Sequence, residues 1–235
     1  MSALRRTTAA LCALALSLVL AGCADDEPEQ NTTSESTQSE EEEEVPFNSE
    51  FSRDGTYQSH QIINGIDFVY TLWASKATPR MQQWYPLGDK YFSFTFQAYD
   101  TRQRLRDPFQ TKRKVWMDRI RVTSVTTAES GAVESPYRLN EFAPDITFDP
   151  QARQFRGYGM LITSPKGAFE LRNQVIKDMA EDTEGVTLSF SATVWVQDKA
   201  GSGSYNKRVI RQEVPIALYE SDEATDPQPV PYNAS

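Results

Sequence analysis

Between Val186 and Gln197 apolar and polar side chains alternate without a break. Val186, Leu188, Phe190, Ala192, Val194 and Val196 share one parity; Thr187, Ser189, Ser191, Thr193, Trp195 and Gln197 share the other. Successive side chains of a strand point to opposite faces, so this pattern predicts a long strand with one buried side. Phe92, Phe94, Phe96 and Ala98 alternate with Ser93, Thr95 and Gln97 in the same way, which gives a second strand with a phenylalanine face. Ile66 to Ser75 is apolar on both parities in places and is expected as a central strand. In Lys114 to Thr127 the pattern slips, with Val115 and Met117 on one parity and Ile120 and Val122 on the other. One extra residue near Asp118-Arg119, a β-bulge, reconciles the two halves.

Shorter segments fill the remainder. Ile146 to Phe148 and Gln154 to Thr163 are expected as two strands around the turn Asp149-Pro150-Gln151-Ala152, since proline pre-sets φ at the second turn position. The Gly201-Ser202-Gly203-Ser204 stretch predicts a hairpin into Lys207–Leu218. Pro215 has no N–H to donate, which places that strand at a sheet edge. Phe169 to Asp182 is the one passage with helical spacing: Leu171, Val175 and Met179 form a stripe, and Ser164-Pro165 offers a start. It is expected as a short helix covering one end or edge of the fold. From Glu220 the chain is acidic, contains three prolines and is expected to be loose up to Ser235.

Seven or eight strands with turn signals, one helix and no βαβ rhythm predict an all-β fold. The expected architecture is an antiparallel β-sandwich, immunoglobulin-like in the broad sense, spanning residues 51–219. A closed β-barrel is the alternative.

The N-terminal pattern is different in kind. Arg5 and Arg6 precede an apolar run from Ala9 to Ala21, shorter than the roughly 20 residues that span a bilayer core. This is the layout of a signal peptide, residues 1–22. Leu20-Ala21-Gly22-Cys23 resembles the lipobox of bacterial lipoproteins. The resemblance implies that Cys23 is lipidated, with palmitate among the acyl chains such proteins carry, and becomes the new N-terminus in a cell-envelope membrane. Ala24 after the cysteine matches lipoproteins sent to an outer membrane, although Asp25 follows one position later. The other cysteine, Cys12, lies inside the discarded run, so no second thiol remains to pair with Cys23.

Charge is unevenly distributed. Residues 24–50 hold eleven acids and no Lys or Arg, whereas from residue 51 onward acids and bases number 22 each. The acidic stretch has too few apolar groups to offset its ordering entropy and is expected as a disordered tether, residues 23–50 with the lipidated cysteine. A neutral domain on an acidic tether gives nucleic-acid binding no support.

Catalytic chemistry finds little to work with. The one histidine, His60, sits in a polar stretch, no G-x-S-x-G elbow occurs, and a zinc site lacks thiolates. No metal or cofactor is expected, and the chain is read as a non-enzyme. Two surface features are candidates for binding. One is basic: Arg102, Arg104 and Arg106 alternate, followed by Lys112, Arg113, Lys114, Arg119 and Arg121. Such a patch suits an anionic envelope polymer or an acidic envelope protein, or the chain's own acidic tether; a solvated rim is the plain alternative. The other is aromatic: Trp84 and Tyr85 in a breaker-rich loop, and Trp195 on the polar side of its strand. Packing beneath the expected helix or within the loop competes with that reading. Trp73 and Trp116 are expected in or near the core. A lipocalin-like carrier, its cavity lined by the Phe92/Phe94/Phe96 row, is the second functional class, and a surface hydrolase the third.

Overall fold

The computed structural model describes residues 47–230. The signal segment, Cys23 and the acidic stretch up to residue 46 lie outside the described residues, as do 231–235. The chain forms an all-β sandwich of two antiparallel sheets. A short helix, α1 (Glu50–Asp54), precedes β1 (Thr56–Ile63), β2 (Ile66–Ala74), β3 (Lys90–Asp100) and β4 (Val115–Ala128). Then come β5 (Arg138–Phe142), α2 (Ala143–Ile146), β6 (Gln154–Phe155), β7 (Gly159–Leu161), β8 (Phe169–Ile176), β9 (Thr183–Gln197) and β10 (Tyr205–Ala217). One sheet has the order β1-β2-β3-β8; the other runs β10-β9-β4-β7-β6, with β5 also on β4. No barrel closes.

The alternating strands behave as their parity dictates. Val186, Leu188, Phe190, Ala192 and Val194 are buried against Phe92, Phe94 and Phe96 of the facing sheet. Phe94 meets Phe190 edge-on at 5.1 Å, and Tyr70 lies 4.2 Å from Phe96 and 5.7 Å from Phe190. These rings are fully or almost fully buried and lock the sheets together. The phenylalanine row therefore fills the core. The expected slip in β4 is present: its register against β9 shifts between Met117 and Arg119. Pro215 lies on β10, at the sheet edge. That edge is covered in part by α1, whose N-cap Ser49 hydroxyl donates to the Pro215 carbonyl, while the Ala217 N–H donates to Ser52 Oγ at 2.8 Å.

Two expected elements are corrected. Phe169 to Asp182 contains no helix; Phe169–Ile176 is strand β8, paired with β3, and the chain then continues without regular structure to the turn before β9. The cause is a bulge. Phe94 pairs with Leu171 but Phe92 pairs with Gln174, and Asn173 takes a positive φ of 51°. One extra residue moves the buried parity from Phe169 to Ile176, which spaces the apolar residues by three and four and imitates a helical stripe. Ile146 to Phe148 is likewise not a strand. Ile146 ends α2, and only the turn after it, closed by the Ala152 N–H on the Asp149 carbonyl at 3.2 Å, matches the expectation.

The segment after β10 is held at three points, the last of them Gln228. The Tyr219 N–H donates to the Trp84 carbonyl, Thr225 N–H to Leu87 and Gln228 N–H to Ala77. Gly88, at φ 82°, permits this: a Cβ there would stand 2.3 Å from the Thr225 carbonyl oxygen.

Beneath that segment lies a fully buried lysine. Lys90 Nζ donates to the Tyr85 and Pro86 carbonyls at 2.8 and 2.7 Å, holding the loop on which the C-terminal segment rests. Burial pushes its ammonium down to about 8, against the opposing pull of Asp178 and Asp89. An unfolded chain keeps the proton up to about pH 10.5, so between these values the unfolded state binds more protons and stability rises with pH. Chemical denaturation at pH 9.5 is expected to give an unfolding free energy about 2 kcal/mol above that at pH 7.5. Lys90→Met should flatten this rise. Above pH 10 the trend reverses, because burial raises the phenols of Tyr70 and Tyr137 above their ordinary value and ionisation then favours the unfolded chain.

Candidate functional site: an arginine loop locked at one end of the sandwich

The segment between β3 and β4 stands at the end of the sandwich that also carries the β1–β2 and β9–β10 turns, as the strand registers require. Its basic residues divide into two groups. Arg113 is buried: Nε and Nη2 bind the two carboxylate oxygens of Asp100 at 3.1 and 2.7 Å. Nη1 and Nη2 also donate to the carbonyls of Asn64 and Gly65 at 3.0 and 2.7 Å. The Arg113 N–H adds a further bond to Asp100 at 2.9 Å. Burial alone raises the Asp100 pKa, but the hydrogen bonds and charge of Arg113 outweigh it and hold the carboxyl below its ordinary value.

Lys112 and Lys114 are used in the same way. Lys112 Nζ donates to the Arg104 carbonyl. Lys114 Nζ donates to the carbonyls of Phe109 and Lys112 and sits 4.1 Å from the Phe109 ring centroid. These three cations therefore build the loop and are not offered to a partner.

Arg102, Arg104 and Arg106 are exposed, and no ion pair engages them among the described residues. They are not carried on an extended strand. The segment is a pair of turns, one closed by the Asp107 carboxylate on the Arg104 N–H at 2.8 Å. At its tip Leu105 is 66% exposed between two of the arginines. Arg102 also borders a small cleft of about 190 Å³ with Arg113, Asp198 and Arg208. The result is a cationic loop, its backbone held by these bonds, that exposes one apolar side chain. Arg119 and Arg121 belong to β4 and face elsewhere in function: the Arg119 guanidinium stacks on Phe142 at 4.2 Å.

The aromatic candidates fare differently. Trp84 is fully buried, with its indole N–H on the Thr78 carbonyl at 2.9 Å and Phe51 edge-on at 5.5 Å. It presents no surface, which corrects its reading as a contact residue. Tyr85 is half-buried, and its backbone N–H is taken by the Thr225 hydroxyl. Trp195 does lie on the outer face of its sheet, beneath the β6–β7 hairpin rather than a helix. Tyr158 packs on it edge-on at 5.0 Å, and Tyr205, Phe155 and Trp116 extend the cluster. Trp116 is thus covered by this hairpin and is not part of the central core. The pairing of Trp116 with Trp195 across β4 and β9 is the signal that locates the cluster, and it needs the bulge to be placed first.

His60 is exposed on β1, with Nδ1 and Asp67 Oδ2 2.8 Å apart, and borders neither cavity described in this molecule. Among the described residues no three metal-ligating side chains converge, and no helix is long and apolar enough to cross a membrane.

The fold defines the class, an antiparallel β-sandwich. No family model matches the chain, and no curated protein sequence matches it.

Proposed function

We propose that this chain is a non-catalytic binding or scaffolding module of the cell envelope, anchored by lipid on Cys23 and presenting its arginine loop to an anionic partner. The observation that carries this reading is the division of labour in the loop. A buried Arg113–Asp100 pair and two lysines fix its backbone, while Arg102, Arg104 and Arg106 remain exposed around Leu105. A loop backbone fixed in advance leaves only the side chains to be ordered when exposed arginine forks meet carboxylates or phosphates.

The position of the loop supports the same reading. Phe47, the first described residue, lies at the opposite end, beside Gly185 of β9. Fifteen residues of β9 separate the two ends by about 45 Å. The partner is an acidic envelope protein or an anionic envelope polymer, and an outer membrane is the favoured address where one exists.

Two experiments test the halves of this proposal separately. Cys23→Ser should move the protein from the detergent phase to the aqueous phase; unchanged partitioning removes the anchor. Replacing Arg102, Arg104 and Arg106 together by glutamate should abolish a salt-sensitive envelope pull-down while leaving the fold intact, since none of the three supports the core. Unchanged capture removes the loop as the contact.

A further inference from the structure

Behind the arginine loop, the ends of β1, β9 and β10 enclose the small cleft that Arg102, Arg113 and Arg208 share. Arg208 is the unexpected member. Ile210, Val214 and Ile216 of β10 are buried on the core-facing parity, and Arg208 has that same parity. It is half-buried, and among the described residues its side chain makes no ion pair and no hydrogen bond. A guanidinium on an inward position is ordinarily paired, because burying its charge alone is costly.

The other two cations are crowded together. A Cβ at Gly65 would stand 2.9 Å from Arg102 Nε and 3.3 Å from Arg113 Nη2, so glycine leaves room for both. The two side chains are therefore about 6 Å apart or less, where like charges repel. The Asp100 carboxylate pairs with Arg113 and with neither of the other two. Arg113 makes four side-chain hydrogen bonds with its five N–H groups, which leaves one on Nη1 without an acceptor. Asp198 is the one acid among the residues lining the cleft. Its two oxygens already accept from the Ser204 hydroxyl and the Asn206 amide. The cleft thus holds positive charge that nothing in the described chain answers.

We infer that this cleft binds the phosphate of an alkyl phosphate monoester, with Arg102 and Arg208 on its oxygens and the spare Arg113 N–H as a third donor. Three separate guanidinium groups suit the three terminal oxygens and double charge of a monoester. A carboxylate offers only two oxygens and one charge. Ile63 and Val196 line the same cleft and give an apolar surface to the first carbons of the ester. A volume of about 190 Å³ suits one such group. The site shares only Arg102 with the loop face proposed to meet the envelope and does not rest on that contact.

Glycerol 3-phosphate is the probe, titrated into the full-length protein in detergent at about pH 8, where the ester is a dianion. Inorganic phosphate and acetate at equal ionic strength are the comparisons, and amide NMR shifts at Asn64, Gly65 and Asn206 read the cleft. Saturable shifts with glycerol 3-phosphate, several-fold tighter than with either comparison, are expected. Arg208→Met should weaken binding about tenfold or more. Its ligand-free thermal midpoint should be unchanged or higher, since an unpaired, half-buried charge is removed. Arg102→Gln, on the loop and clear of the core, should weaken binding likewise and keeps the assignment testable if Arg208→Met unfolds. The assignment is overturned by the absence of saturable shifts at those three amides or by unchanged affinity in the variants. Inorganic phosphate or acetate binding as tightly as the ester overturns it equally.

Discussion

Asp100→Ala should destabilise the domain by about 3–5 kcal/mol, the largest effect expected of any single charged-residue substitution here. Asp100 and Arg113 are both nearly inaccessible, and Asp100 accepts three hydrogen bonds from Arg113 alone. Truncating the acid leaves a guanidinium buried with only the Asn64 and Gly65 carbonyls for company. Those two residues form the β1–β2 turn, so the turn and the arginine loop should loosen together. Denaturant titration reads the stability change, and amide exchange at Thr101 and Arg113 reads the loosening. The same pair sets an acid limit. Asp100 has a depressed carboxyl in the folded protein, so its contribution is complete above the ordinary aspartate range and disappears as pH falls through the lower folded value. Wild-type protein should therefore lose stability on acidification more steeply than Asp100→Ala. Equal acid sensitivity of the two would show that the pair is not a main source of that loss.

Trp84→Ala should cost about 3–5 kcal/mol as well, for a different reason. The indole is completely enclosed, packs against Phe51 of α1, and satisfies the Thr78 carbonyl. Removing it opens a cavity beneath α1 and strands a buried acceptor. For a domain of this size the midpoint of thermal unfolding should fall by roughly 10 °C. Because the Trp84 carbonyl also holds the Tyr219 N–H, the chain after β10 should gain protease sensitivity. Trp84→Phe retains most of the volume and should show a clearly smaller loss. A melting point unchanged in Trp84→Ala would contradict the packing described for this loop.

How much of this was legible in the sequence depends on unbroken parity. Over 92–98 in β3 and 186–196 in β9 one face is apolar without a break, and the inward residues read from parity are the buried ones. The bulge in β4 was legible because both halves are long enough to show their own parity. In β8 the segments on either side of Asn173 are too short, and the shifted parity passes for a helix. The arginines of the β3–β4 loop were visible as residues, but not their division into structural and exposed members. For Arg113 that division is set by Asp100, Asn64 and Gly65, which come from other strands and turns; for Lys112 and Lys114 it is set by carbonyls of the loop itself. Trp84 in a proline-rich loop and Trp195 on a polar face looked equivalent; only the packing of α1 and of the β6–β7 hairpin distinguishes them.

The central claim is that contact with the envelope is made at the tip of the arginine loop. A photo-crosslinking residue placed at Leu105 in living cells tests it most directly, with one at Phe155, on the outer aromatic cluster, as the comparison. The prediction is an adduct from Leu105 that is lost when Arg102, Arg104 and Arg106 are reversed in charge, and none from Phe155. An adduct from Phe155 with a silent Leu105 would contradict it.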